Sequence, residues 1–234
     1  MVEVSHLQKK YGKRVILEDI SFKAECGERV GIVGKNGCGK STLMRILSGI
    51  MKPDKGEILY FGENALSRKK VFRKYCGYVP QENPLIEELS VKDNLKLWGN
   101  YNGEVTEKLT ELLNLQDMMK MPVEKLSGGM KRRVSIACAL MNMPPVILMD
   151  EPTTALDLYY KEGIHKWMAS YQKMNGIIIM TTHDEQEIMD CDRCLIMKEG
   201  KLTELPQEEG TIDMVKTYLS EWYGTKEEER EDEF

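Results

Sequence analysis

Gly34-Lys35-Asn36-Gly37-Cys38-Gly39-Lys40-Ser41-Thr42 decides how the rest of the chain is read. It matches the phosphate-binding pattern G-x-x-x-x-G-K-[ST] at Gly34, Gly39, Lys40 and Ser41. Arg29-Val30-Gly31-Ile32-Val33 before it has the make-up of a buried strand, and Leu43, Met44, Ile46 and Leu47 after it recur at helical spacing. Strand, glycine loop and helix in that order form the context the pattern requires. Glycines let backbone N–H groups approach phosphate oxygens closely, and the opening helix turns unpaired N–H groups and its positive dipole end toward an anion. Lys40 supplies a point charge for the outer phosphates, and the Ser41 hydroxyl is a hard oxygen ligand suited to Mg²⁺. These nine residues predict a nucleotide-phosphate site but leave the nucleotide and the reaction open.

The rest of the chain narrows the choice. Its 234 residues suffice for one large domain or two small lobes, and 41% hydrophobic and 30% charged residues suit a soluble globular protein. No apolar run approaches the roughly 20 residues of a membrane helix. The start, Met1-Val2-Glu3-Val4-Ser5-His6, lacks the basic-then-apolar build of a signal peptide. The net charge of −5 is concentrated in Lys226 to Glu233, where six acids face two bases; this is expected to be a solvated end of an acidic tail, 223–234. The body is then close to neutral and carries no global nucleic-acid signature.

Cys26, Cys38, Cys76, Cys138, Cys191 and Cys194 are scattered, as expected in a reducing cytoplasm. Only Cys191 and Cys194 have CxxC spacing, without the second pair a structural zinc usually needs; Cys194 opens the apolar run Leu195-Ile196-Met197 and reads as a strand residue. Cys38 lies inside the glycine loop, so alkylating it is expected to hinder nucleotide entry.

Taken in order, residues 2–33 read as short strands at Val2–Val4, Val15–Leu17, Ile20–Phe22 and Val30–Val33, with turns at Tyr11-Gly12-Lys13 and Cys26-Gly27-Glu28. Glu57–Phe61 and Gly77–Val79 follow as strands, the second ending at Pro80-Gln81. From Ser90 to Leu140 the pattern is helical, starting with capping-box spacing at Ser90-Val91-Lys92-Asp93. Leu109, Leu112 and Leu113 form an apolar stripe, Met118, Met119 and Met121 are expected at a surface or interface, and Leu126-Ser127-Gly128-Gly129-Met130 leads into a long helix. Two uninterrupted apolar runs return the strand pattern: Val146–Met149, ending in Asp150-Glu151, and Ile177–Met180, ending in Thr181-Thr182-His183. Buried strands alternating with helices predict a parallel sheet covered on both faces, with ligands beyond its carboxyl ends. Gly34, Asp150, Glu151 and His183 all follow such ends and can converge.

The ordered set of Gly34–Thr42 (Walker A), Gln81, Leu126-Ser127-Gly128-Gly129, the Walker B run ending in Asp150-Glu151, Ala155-Leu156-Asp157 and His183 resembles the nucleotide-binding subunit of an ABC (ATP-binding cassette) transporter over residues 1–222. The resemblance implies an α/β fold: a RecA-like P-loop NTPase core and an antiparallel β lobe over 1–83 and 141–222, with a helical signature lobe at 84–140. It implies ATP as substrate and Mg²⁺ as cofactor, the metal held by Ser41, Asp150 and Gln81. In the resembling family Glu151 matches the general base, His183 the switch histidine at the γ-phosphate, and Gln81 a sensor of Mg²⁺ and water. Tyr11 resembles the aromatic on which adenine stacks, and Asn36, Gly37, Cys38, Gly39 and Thr42 complete the phosphate loop.

Ser127, Gly128 and Gly129 resemble the segment that caps the γ-phosphate of ATP held by another subunit, with Asp157 at that interface. Two nucleotide-binding subunits, identical or paralogous, would then clamp two ATPs and drive two separately encoded membrane subunits from the cytoplasmic face. Lys131-Arg132-Arg133 could suggest nucleic acid, but a solvated helix face beside the signature is the favoured reading, and no nucleic-acid partner is expected. Met130 stands where Gln is commoner, and Thr153-Thr154-Ala155-Leu156-Asp157 departs from the frequent Ser or Gly forms; neither change removes an ionisable catalytic group. The signature as written is similar to that of ABC-2 type exporters. Two alternatives stay open: a soluble ABC-type ATPase acting on ribosomes or DNA, and a P-loop kinase that would share only Gly34–Ser41.

Overall fold

The computed structural model describes residues 1–99, 103–154, 156–205 and 213–217. Ala155 and the acidic tail at 223–234 lie outside the described residues. In chain order the elements are β1 (Val2–Tyr11), β2 (Arg14–Ala24), β3 (Arg29–Val33), α1 (Lys40–Leu47), β4 (Lys55–Tyr60), β5 (Glu63–Asn64), α2 (Lys70–Tyr75), β6 (Cys76–Val79), α3 (Val91–Trp98) and α4 (Gly103–Leu112). Two 3₁₀ turns, Gln116–Met118 and Val123–Lys125, lead to α5 (Gly128–Leu140), β7 (Val146–Asp150), α6 (Leu158–Lys173), β8 (Ile177–Thr181), α7 (Glu185–Met189), β9 (Arg193–Lys198) and β10 (Lys201–Leu205).

The strands form two sheets. A six-stranded sheet has the order β10-β9-β3-β8-β7-β6, and every pairing in it is parallel except that of β10 with β9. β3, β7 and β8 are buried along their whole length, which is why they read as unbroken apolar runs rather than alternating ones. On one face, Ile147, Met149, Ile178 and Met180 pack with Val91, Leu95, Val134, Ala137 and Met168 from the helices. On the other, Val30, Ile32, Leu148 and Ile179 pack with Leu43 and Leu47 of α1 and with Val4, Leu17 and Ile58 of the second sheet. That second sheet is antiparallel, in the order β2-β1-β4-β5. A RecA-like parallel core, an antiparallel sheet and a helical stretch are thus all present as expected.

The differences from the sequence reading have physical causes. Val15–Leu17 and Ile20–Phe22 belong to one strand, β2, because Glu18 and Asp19 face outward where its pairing with the bulged β1 shifts register. α2 escaped notice because five of its six residues are basic or aromatic and only Val71 and Phe72 are buried. Met118 is buried in the core rather than at a surface, whereas Met119 and Met121 are half-buried against it. Leu109 and Leu113 enter that core and Leu112 does not. Ser90 caps α3 as expected, its hydroxyl accepting from Asp93 N at 3.1 Å.

The largest correction concerns α5. Arg132 and Arg133, expected on a solvated face, are each only 3% exposed. Arg133 donates to the carbonyls of Leu113 and Asn114 at 2.8 and 2.9 Å and lies 3.8 Å above the centre of the Tyr160 ring. Only Lys131 is partly solvated, in a salt bridge to Glu87. Two of the three cations are therefore withdrawn from any nucleic acid.

α5 also lies close against β6. A Cβ on Gly77 would sit 2.6 Å from Ala139 O and 2.8 Å from Pro144 Cγ. Gly77→Ala is predicted to destabilise the protein by about 1–3 kcal/mol through overpacking, read as a lowered midpoint in urea with an unchanged slope.

Candidate functional site

Four loops leave the carboxyl edge of the parallel sheet side by side, after β3, β8, β7 and β6. The pairings Ile32↔Thr181 and Asp150↔Thr181 hold the three central ends flush. Gly34 follows β3, Asp150 ends β7, His183 lies two residues beyond β8, and Gln81 two beyond β6. Residues up to 149 positions apart in sequence are thereby brought to one place.

Within the glycine loop, Gly39 adopts φ 116°, a left-handed value that lets the chain turn directly into α1 at Lys40. The Lys40 ammonium is buried and donates to the carbonyls of Gly34 and Lys35, the latter at 3.1 Å. Asn36, Gly37, Gly39, Lys40, Ser41 and Thr42 line one cavity of about 530 Å³, joined there by Tyr11, Gln81, Glu151 and His183. Gly34 and Cys38 are not on its lining: the half-buried Cys38 packs against the core, and a Cβ on Gly34 would meet its sulfur at 2.9 Å. Burial raises the Cys38 thiol above its ordinary pKa, so it stays protonated at neutral pH. Arg14 and Ile16 also line the cavity and were missed; they sit just past the Tyr11-Gly12-Lys13 turn, on the strand facing Tyr11.

Glu151 is the centre of the polar network. One carboxylate oxygen accepts from Gln81 Nε2 at 3.1 Å and Thr154 Oγ1 at 3.3 Å; the other lies 3.5 Å from His183 Nε2. Its backbone is left-handed, φ 50°, unusual for a residue with a Cβ. Glu151 N–H donates to Thr181 O and Thr181 Oγ1, which holds that conformation from the β8 side. Asp150 is 2% exposed and its carboxylate accepts from Thr181 Oγ1. Ser41, Gln81 and Asp150 all line a neighbouring cavity of about 860 Å³, which offers a hydroxyl, an amide and a carboxylate oxygen. That all-oxygen donor set suits a hard divalent cation completed by water and phosphate rather than a protein cage.

Ser127, Gly128 and Gly129 stand elsewhere. Ser127 caps α5, accepting from Met130 N at 3.3 Å, and the three residues line a separate cavity with Asp157 and Tyr159. Asp157 caps α6, its carboxylate accepting from Tyr160 N at 3.2 Å.

Fold and site together define a P-loop nucleotide-binding cassette. The ABC transporter family model matches residues 17–154, a span holding Gly34–Thr42, Gln81, Ser127–Gly129, Asp150 and Glu151. A Nod factor export ATP-binding protein I of Sinorhizobium fredii is 36% identical over 208 residues, covering 86% of this chain and 61% of its own length. A protein of the same description from Paraburkholderia xenovorans is 37% identical over 209 residues, covering 86% and 68%. The chain thus spans about two thirds of the length of these relatives. Among solved structures, an ATP-binding subunit of an ABC transporter superimposes with TM-score 0.86 at 26% identity, covering 94% of this chain and 99% of the other. A cassette solved as a dimer in a post-hydrolysis state, bound to ADP and Pi, gives 0.81 at 29% identity, covering 89% and 99%. This chain belongs to the ABC transporter family and is an ATP-binding cassette with the family's ATPase chemistry.

Burial, and after it the Lys40 ammonium, push the His183 imidazole below its ordinary pKa of 6.5, while Glu151 pulls partly the other way. His183 is therefore neutral at pH 7. Because its folded pKa is depressed, its contribution to stability is complete above pH 6.5 and is lost as pH falls through the folded value. In an NMR titration, the His183 ring carbon, assigned with His183→Gln, should shift at lower pH than free histidine, and Lys40→Met should move that transition upward.

Proposed function

We propose that this chain is the ATP-hydrolysing subunit of a membrane exporter of the ABC type, working at the cytoplasmic face through two integral membrane subunits. The relatives' printed role in export supports the direction of transport. No helix among the described residues is long and apolar enough to cross a membrane, so the membrane path would be supplied by partners. We take residues 1–222 as one cassette, with 84–140 as the lobe that carries the signature.

The observation that carries the reading is the placing of Glu151 between Gln81 and His183 at the cavity lined by Lys40 and Ser41. ATP would lie with its phosphates along residues 34–42, under the N–H groups at the start of α1, and its adenine against Tyr11. Lys40 would leave the loop carbonyls for the β- and γ-phosphates. Ser41, Asp150 and Gln81 would hold Mg²⁺, which when bound neutralises charge on those phosphates. Glu151 takes a proton from the attacking water as its oxygen bonds to the γ-phosphorus and the bond to ADP breaks, releasing ADP and phosphate. Neutral His183 can donate from one ring nitrogen to the γ-phosphate while Gln81 orients the water.

Ser127–Gly129 is not on this cavity, and its capped helix N-terminus points out at another. We therefore place it over the γ-phosphate of a second cassette, in a two-fold dimer of identical or paralogous subunits. The dimeric structure of a similar cassette supports this arrangement.

Glu151→Gln should lower kcat by about 10²-fold or more while ATP affinity persists. An ATP-bound dimer should then accumulate, visible by size-exclusion chromatography with light scattering. Unchanged turnover would remove Glu151 as the base. Co-purification with ribosomes or DNA instead of a polytopic membrane protein would remove the transport role.

A further inference from the structure

Among the buried charges that take no direct part in hydrolysis, Arg132 is the one bonded to the main chain around Glu151. Arg132 lies in α5, 3% exposed, and its hydrogen-bond partners are main-chain carbonyls. Nε donates to Pro152 O at 3.0 Å, and Nη2 to Asp150 O at 2.7 Å and Glu151 O at 2.8 Å. Nη1 donates to Pro80 O and, at 3.4 Å, to Gln81 O. Burial draws its pKa down to about 10, so it remains a cation at neutral pH.

Three consecutive carbonyls, those of Asp150, Glu151 and Pro152, converge on this one cation. Their dipoles would repel one another without a positive charge among them. The middle residue of the three is the one with the left-handed backbone, φ 50°. Its N–H is fixed by Thr181 and its C=O by Arg132, so the peptide groups on both sides of the Glu151 Cα are clamped. The same guanidinium holds the carbonyls of Pro80 and Gln81, and Gln81 is the residue whose amide meets the Glu151 carboxylate at 3.1 Å. A planar fork with five donors can serve both loops at once; a lysine ammonium, a compact point charge, cannot.

We propose that Arg132 is a positioning residue for hydrolysis, holding Glu151 and Gln81 in mutual register through their main-chain carbonyls. The inference rests on the reading of Glu151 as the base. Arg132 touches neither the cavity nor the nucleotide loop, so it acts on the rate of the chemical step rather than on ATP binding. A misplacement of catalytic groups by about 1 Å can cost on the order of 10²-fold in rate.

The test is a double-mutant cycle on the full chain with MgATP. Arg132→Lys should lower kcat at least tenfold, with KM and the affinity for a fluorescent ATP analogue changed less than threefold. In the Glu151→Gln background, measured by single turnover of radiolabelled ATP, Arg132→Lys should change the residual rate less than twofold, because the carboxylate whose register with Gln81 it sets is gone. A purely structural role would lower the rate by the same factor in both backgrounds, and that result overturns the proposal. So does an unchanged kcat, or a raised KM with kcat kept. Arg132→Gln serves as the second variant; if neither variant gives a folded protein by circular dichroism, Arg132 is structural and the proposal falls. Normal turnover in Glu151→Gln alone would instead remove the base assignment, which separates the two failures.

Discussion

The parallel pairing of β3, β8, β7 and β6 is the constraint from which the rest follows. Parallel strands share a carboxyl end, so each loop that leaves them emerges at the same edge. Ile32, Thr181 and Asp150 lie flush in that register, and the glycine loop, the Asp150-Glu151 pair and His183 follow. A one-residue slip in any pairing would turn Asp150 or Thr181 away from its present face. The apolar side chains of β7 and β8 on both faces oppose such a slip, because every position in them is buried. Chemistry at the edge is thus held in place by hydrophobic packing at the middle.

What could be read from the sequence was whatever is local. The phosphate loop, the capped signature helix and the two strand-end acid and histidine positions each depend on residues within a few places of one another. Sequence motifs of that kind report backbone geometry directly. Arg132 and Arg133 show the opposite case. Three cations in a row at the start of a helix look solvated, and nothing nearby in sequence reveals that the carbonyls of residues 80–81, 113–114 and 150–152 come to meet them. Arg14 was missed for a similar reason: its place at the cavity comes from the hairpin of β1 and β2, which sets it opposite Tyr11. The extent of β2 depends on a register shift across that hairpin and has no signal of its own.

The site is also balanced electrically. Lys40 faces loop carbonyls, and its charge helps keep His183 neutral, so the imidazole adds no further cation beside the Glu151 carboxylate. That leaves the carboxylate with hydrogen bonds from the uncharged groups of Gln81 and Thr154 instead of a tight ion pair.

Helix α5 faces two ways. Its first turn presents Ser127, Gly128 and Gly129 outward, and little more than one turn later Arg132 reaches inward to the loops around Glu151. At about 1.5 Å per residue, the two ends of that relation are under 10 Å apart on one rigid rod. A displacement of the rod cannot be felt at one end alone. Whatever presses on its exposed tip also bears on the carbonyls that Arg132 holds, so two separate cavities of one chain are joined through a single helix.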